Sequence, residues 1–245
     1  MHRLLKMSWF NVKNELYSKV LLLGIIAAFA YSMLWVFLVH PPKYGLEGYD
    51  FEFGRFLFVI MLYAAVSTLR NDIRSNTIKT VFTGVFSRTE IMLSKAIALF
   101  IWGIIFFIIV EVNNVIVSCI LYEKIGVSGF LAFNHLQLFV SYIAVILAMG
   151  SLMILIMSII FNEKKSILFF ILIITMVNFY TAGIYCLVNR QPEMAHYFTA
   201  YMKTPFYNTT VLQQEFNMQS VIINLLWTVM FFSSSFFIIN KREIK

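Results

Sequence analysis

Apolar residues run along this chain in six long blocks, at about 20–39, 55–69, 96–118, 138–160, 167–188 and 220–239, with short polar stretches between them. A helix crosses ~30 Å of hydrocarbon in about 20 residues at ~1.5 Å each, so every block reads as a membrane-spanning helix. The second block is short and carries Arg55 at its edge, so its helix is expected to take a turn from each flank. Residues 1–19 differ: Leu5, Trp9, Val12 and Leu16 form one helical stripe, with Arg3, Lys6 and Lys13 away from it. Such a helix can lie in the headgroup plane with its cations towards phosphates. No block repeats another, and no soluble domain is inserted. The predicted fold is all-α and polytopic, with an interfacial helix at 1–19 and a single six-helix transmembrane domain at 20–245.

Composition agrees with this pattern. Hydrophobic residues make up 60% of the chain and charged residues 13%, with a mean hydropathy of +0.82. A soluble domain carries about 25% charged residues. The first apolar run is too long for a signal-peptide core and no small-residue cleavage site follows it, so no cleavable leader is expected. If the N-terminus is cytoplasmic, 14 of the 19 Lys and Arg residues fall on the inner side. That bias places both termini in the cytoplasm, and it accounts for the net charge of +7 without nucleic acid. Cys119 and Cys186 make no metal pattern with the four histidines; both fall near the outer ends of their helices, where they are read as unpaired thiols with a disulfide as the alternative.

The longest polar interruption on the inner side is "SNTIKTVFTGVFSRTEIMLSK" at 75–95. Asn76 can cap a short helix whose apolar positions Ile78, Val81, Phe82 and Val85 share one face, and Gly84 suits its end. Ser87 and Glu90 have the spacing of a capping box that starts the third span. A helix this short needs something to dock on, either the chain's own bundle or another protein.

With Leu69 to Arg74 added, this stretch resembles the segment after the second span in ABC-2 type permeases, the membrane subunits of bacterial ABC exporters. Asp72, Thr77, Ser87, Arg88 and Lys95 fit that family's pattern, with Asn76 standing where Gly is usual and Asp72 where Glu is usual. The architecture matches along the whole chain. The resemblance implies a multi-pass protein of the bacterial cytoplasmic membrane. It also implies that the short helix from Asn76 to about Gly84 is a coupling helix, with Asn76, Thr77, Ile78, Lys79, Val81, Phe82, Val85 and, just beyond it, Arg88 meeting a separate ATPase subunit. ATP and magnesium would be held by that partner and no cofactor by this chain. A second permease, identical or paralogous, would complete the pathway. Small six-span relatives serve peptide-toxin export, that of phenol-soluble modulins included, and lantibiotic immunity, so an amphipathic peptide cargo is implied. The alternative is a membrane protein outside this family, either an ion-coupled carrier or a regulatory subunit.

The chain has no G-x-x-x-x-G-K-[ST] phosphate loop, no H-E-x-x-H and no G-x-S-x-G, so no catalytic site is expected. Glu111 is the one acidic residue inside a block, about 22 Å along a helix starting at Ala96. An intramembrane carboxylate is a functional hypothesis by default. It can line a cleft, meet a cationic part of the cargo, or bond within the bundle to Asn113 or Asn114. Asn114 and Asn178 are the other candidate pathway residues. Glu47, Asp50 and Glu52 read as a solvated patch in an outer loop, and His40, His135 and His196 as interfacial residues. The segment from Asn189 to Ser220 holds Tyr197, Phe198, Tyr201, Phe206, Tyr207 and Phe216. It is too aromatic for a soluble loop, and the resemblance implies short helices there that dip into the outer leaflet and close the exit.

Overall fold

The computed structural model describes residues 2–74, 87–160 and 162–241, which are almost wholly helical and contain no strand. Six helices are long and apolar enough to cross a membrane, with mean hydropathies of 1.4 to 2.8. Their outer surfaces keep large apolar side chains exposed, among them Leu23, Ile26 and Phe37 on one helix and Leu226, Val229 and Phe237 on another. Water would not tolerate so much contiguous apolar surface on a monomer, whereas lipid favours it. The protein is an all-α, multi-pass membrane protein.

Helix α1 (His2–Leu16) precedes the spans. Its Ser8, Val12 and Glu15 face the bundle and are buried, while Leu5, Trp9 and Phe10 are exposed together with Arg3, Lys6 and Lys13. The expected apolar stripe is therefore split, Val12 packing on protein and Leu5 and Trp9 turned outward. Ser18 accepts from the Leu21 amide at 3.2 Å and so starts α2 (Lys19–Val39).

The spans continue with α3 (Leu46–Arg74) and α4 (Arg88–Ile120). A short helix, α5 (Gly126–Ala132), then leads into α6 (His135–Ile160). The fifth span, α7, covers 163–190 and contains a π-helical turn at Met176–Thr181. The last span, α9 (Met218–Lys241), follows a short helix α8 (Pro205–Gln214). Six crossings put α1 and the end of α9 at one end of the bundle, here the terminal end. The other is the distal end.

Helices α3 and α6 form the centre, packed on each other and on α4, while α2, α7 and α9 lie around them. Leu57, Phe58, Met61, Leu99, Trp102, Met149 and Met153 fill the core. Helices α4 and α6 approach closely because Gly103 and Gly150 have no side chain there. A Cβ on Gly103 would stand 2.6 Å from Ile143 Cδ1, and one on Gly150 2.7 Å from Leu99 Cδ2. Small residues at a crossing are the usual way for helices to gain packing in lipid.

Helix ends follow local chemistry. Ser87 and Glu90 make the expected capping box, the Ser87 hydroxyl accepting from the Glu90 amide at 3.2 Å and the Glu90 carboxylate from the Ser87 amide at 2.9 Å. Asn162 caps α7 by accepting from the Lys165 amide at 3.1 Å. At the distal end of α2, His40 takes a left-handed conformation (φ 40°) ahead of Pro41 and Pro42, which cannot continue the helix. Gly126, with φ +56°, makes the turn into α5. The second span extends into both flanks, as its short apolar block required. That extension corrects the reading of Glu47, Asp50 and Glu52 as a solvated loop: they occupy the first turns of α3, and Glu52 is buried, accepting from the Tyr31 hydroxyl at 3.1 Å.

Candidate functional site

Between α7 and α9 the chain turns back into the bundle. Pro192 starts a 3₁₀ turn (Pro192–Phe198), one turn of α-helix follows (Thr199–Met202), and α8 leads outward again. The tip of this hairpin is built from its own sequence. Thr204 accepts from the Tyr207 amide, Pro205 occupies the first turn, and Asn208 Nδ2 donates to the carbonyls of Met202 (2.9 Å) and Thr204 (2.8 Å). Two contacts measure its depth. The Tyr201 and Thr181 hydroxyls are 2.6 Å apart, nine residues inside the distal end of α7 at Arg190. Trp227 Nε1 donates to the Lys203 carbonyl at 2.8 Å, nine residues inside the start of α9 at Met218. At ~1.5 Å per residue the tip lies about 13 Å below the ends of both flanking helices. Asn224 Nδ2 meets Thr209 Oγ1 at 3.5 Å on the way out.

The hairpin walls three adjoining cavities around Phe51 of α3 and Gln213 of α8. The innermost, about 40 Å³, is apolar at its base, where Phe58, Met61 and Val145 meet, and has Asp50 and Ser141 at its mouth. It shares Asp50, Ser141, Leu138 and Leu212 with a cavity of about 270 Å³ that also holds Glu47, Gln137 and Glu215. On the far side of Phe51 is a cavity of about 380 Å³ lined by Arg55, Asn178, Cys186 and Thr210. Arg55 stacks over the Phe51 ring at 5.4 Å and pairs with Glu52 at 3.8 Å. The vestibule is thus acidic on one side of Phe51 and basic on the other. Gln213 Nε2 and Asn178 Oδ1 are buried atoms without hydrogen-bond partners among the described residues.

The candidate pathway residues are not brought to one place. Asn178 lines the basic cavity. Asn114 stands behind the acidic one, donating through Nδ2 to Asp50 Oδ1 at 2.9 Å. Glu111 lines a separate shallow groove of about 320 Å³ with Phe107, Ile108 and Phe130. Its partner is neither Asn113 nor Asn114 but His135: Nδ1 is 2.8 Å from Glu111 Oε1, and Nε2 is 2.9 Å from the Phe130 carbonyl. His135, at the start of α6, therefore ties α4 to α5. Asn113 is fully buried, and both polar atoms of its amide lack partners among the described residues, at a cost on the order of 1–3 kcal/mol.

A double-mutant cycle separates these roles. Glu111→Gln and His135→Ala are each expected to lower thermal stability in detergent. The two combined should fall short of the sum by about 1 kcal/mol or more, since they remove one shared interaction. Additive losses would mean that the pair contributes nothing of its own.

Of the coupling candidates, Asn76, Thr77, Ile78, Lys79, Val81, Phe82 and Val85 lie outside the described residues. Arg88 is placed: its Nη1 donates to the carbonyls of Ile239 at 2.7 Å and Asn240 at 3.0 Å. Those carbonyls are among the last that the described part of α9 presents. The start of α4 is thereby bound to the terminal end of the last span. Cys119 and Cys186 are both free and exposed.

The sequence reading missed Asp50 and His135, and Gln213 and Ser141 as vestibule residues. The signal available for Asp50 was its place in the flank that the short second block had to borrow. No protein-family model matches this chain, and no curated protein is similar to it.

Proposed function

We propose that this protein is the permease subunit of an ATP-binding-cassette exporter. It forms, with a second identical or paralogous permease, a path for amphipathic or hydrophobic cargo, peptide toxins or antimicrobial peptides being the class in view. Separate ATPase subunits supply the energy, gripping the 76–86 segment from the cytoplasm at the terminal end. The observation that carries this reading is the hairpin at 192–214. It turns back about 13 Å into the distal end and is pinned there by hydrogen bonds to α7 and α9. A connection between two spans needs no such return, whereas an exit gate does.

A mechanical link follows from the contacts. The 76–86 segment runs into α4, whose first residue Arg88 holds the end of α9. Helix α9 is continuous from Met218 to Lys241, so displacement at its terminal end carries to Trp227 and Asn224, which hold the hairpin. Arg88→Ala is expected to leave ATPase binding intact and to cut export several-fold, as measured by ATP hydrolysis and cargo release side by side. Equal loss of both would place Arg88 in the docking surface instead.

The Glu111–His135 pair favours a second reading, an ion-coupled carrier, since ionisable residues within spans are the parts such carriers use. Proteoliposomes decide between the two. Transport that needs ATP and the partner ATPase, with no ion gradient, supports the exporter. Transport driven by a proton or sodium gradient without ATP refutes it.

A further inference from the structure

We infer that the acidic half of the distal vestibule is a binding site for an amphipathic organic cation. This deepens the exporter reading and rests on it for the cation's role, but the site itself is argued from its own chemistry.

Glu47, Asp50 and Glu215 line the cavity of about 270 Å³, and no Lys, Arg or His does. Carboxyl groups alone would not make a site. The second observation is Ser141. It keeps only 5% of its surface exposed, lines both this cavity and the apolar one beneath it, and its hydroxyl has no hydrogen-bond partner among the described residues. A serine side chain so enclosed usually bonds a neighbour, whereas this one is left to the cavity it lines. Gln213 adds an unpartnered amide nitrogen to the same wall. Polar groups therefore converge on the space without satisfying one another, as in a pocket built for an occupant.

The shape selects the occupant. Among the described residues no three acidic, His or Cys side chains lie close enough to hold one metal ion, so the carboxyl groups fit a larger, more diffuse cation. Beneath them, past Ser141, the apolar base at Phe58, Met61 and Val145 has room for a short hydrocarbon end. Phe51, Phe133 and Phe216 supply aromatic walls, which attract organic cations through their ring faces. The volume is under the ~300–1,000 Å³ of pockets that enclose a whole drug-sized ligand, so the site takes a side chain or a head group. Arg55, across Phe51, bars the same cation from the neighbouring cavity and gives the vestibule its polarity.

The test uses the full chain in dodecyl maltoside micelles without any ATPase, titrated by calorimetry with hexyltrimethylammonium and, separately, with hexane-1-sulfonate. Saturable binding of the cation and none of the anion is expected. Glu47→Lys combined with Glu215→Lys changes two exposed residues and leaves the core intact. It should weaken cation binding by about tenfold or more, in line with the loss of charge-assisted contacts. Asp50→Asn and Ser141→Ala should each weaken it further. Equal binding of both ions, or unchanged affinity in the Glu47/Glu215 variant, overturns the proposal. Competition identifies the source: displacement by short cationic peptides points to cargo, and displacement by a lysophospholipid with an amine head group, but not a glycerol one, points to lipid. Both retain the cation chemistry. Because no ATPase is present, failure here leaves the exporter reading standing, and absence of an ATPase partner leaves this site standing.

Discussion

Under the proposed exporter reading, Phe82→Asp should leave the protein folded in the membrane and abolish its capture of an ATPase subunit. Phe82 shares the predicted apolar face with Ile78, Val81 and Val85 on a segment too short to be stable unless docked. Anchors of this kind carry a large share of an interface's energy, and a carboxylate in their place must be desolvated without a partner. Co-purification from membranes should fall by at least about tenfold, because the lost anchor and the buried charge each amount to a kcal/mol or more. ATP-driven export should fall with it. If the segment docks on a partner, thermal stability of the isolated chain should stay near wild type, because no described core residue is substituted. A variant that keeps both partner and transport would show that the 76–86 ridge is not the handle. A variant that unfolds in isolation would show that the ridge docks on its own bundle.

Closing the hairpin covalently should abolish export. Thr209 on α8 and Asn224 on α9 face each other, with Oγ1 and Nδ2 at 3.5 Å. Cysteines at both positions, with Cys119 and Cys186 replaced by serine, can be joined by a short bis-methanethiosulfonate reagent. If the hairpin must leave α9 for cargo to pass, cross-linked protein should transport at background while still hydrolysing ATP, and reduction should restore transport. Single-cysteine controls treated alike should transport normally. Transport that survives cross-linking would make the hairpin a fixed part of the wall and remove the observation on which the exporter reading rests. The first experiment probes the proposed docking segment and the second the distal part of α9, so a dual loss would fit the link through Arg88, and a split result would locate the fault.

The six spans were legible because the membrane imposes its own length on a helix: about 20 apolar residues cannot be hidden in a sequence. The capping box at Ser87 and Glu90 was legible for a different reason, being a contact between residues three apart. The short second block also predicted its own extension. Yet that extension was not followed through to Glu52, which one added turn reaches, and the helix in fact runs on past Asp50 to Leu46. Glu111 was visible as an acidic residue in an apolar run, but its partner was sought among near neighbours in the same helix. His135 is 24 residues away and reaches Glu111 only because α5 turns the chain back.

What the sequence determined by itself was what local periodicity and exchange with lipid set: the number of spans, their approximate places, and the capping box that starts α4. What only the tertiary structure decided was which polar groups meet. The depth of the hairpin, the bond from Arg88 to the end of α9, and the acidic and basic halves of the vestibule all depend on pairs far apart in the chain. Helix crossings bring them together, and those crossings follow from small features such as Gly103 and Gly150, whose missing side chains let α4 and α6 close. Apolar surface in lipid gains little from burying one helix against another, so the pattern of greasy residues counts the helices without arranging them. The arrangement is set by shape and by polar contacts across long intervals of sequence, which periodicity does not encode.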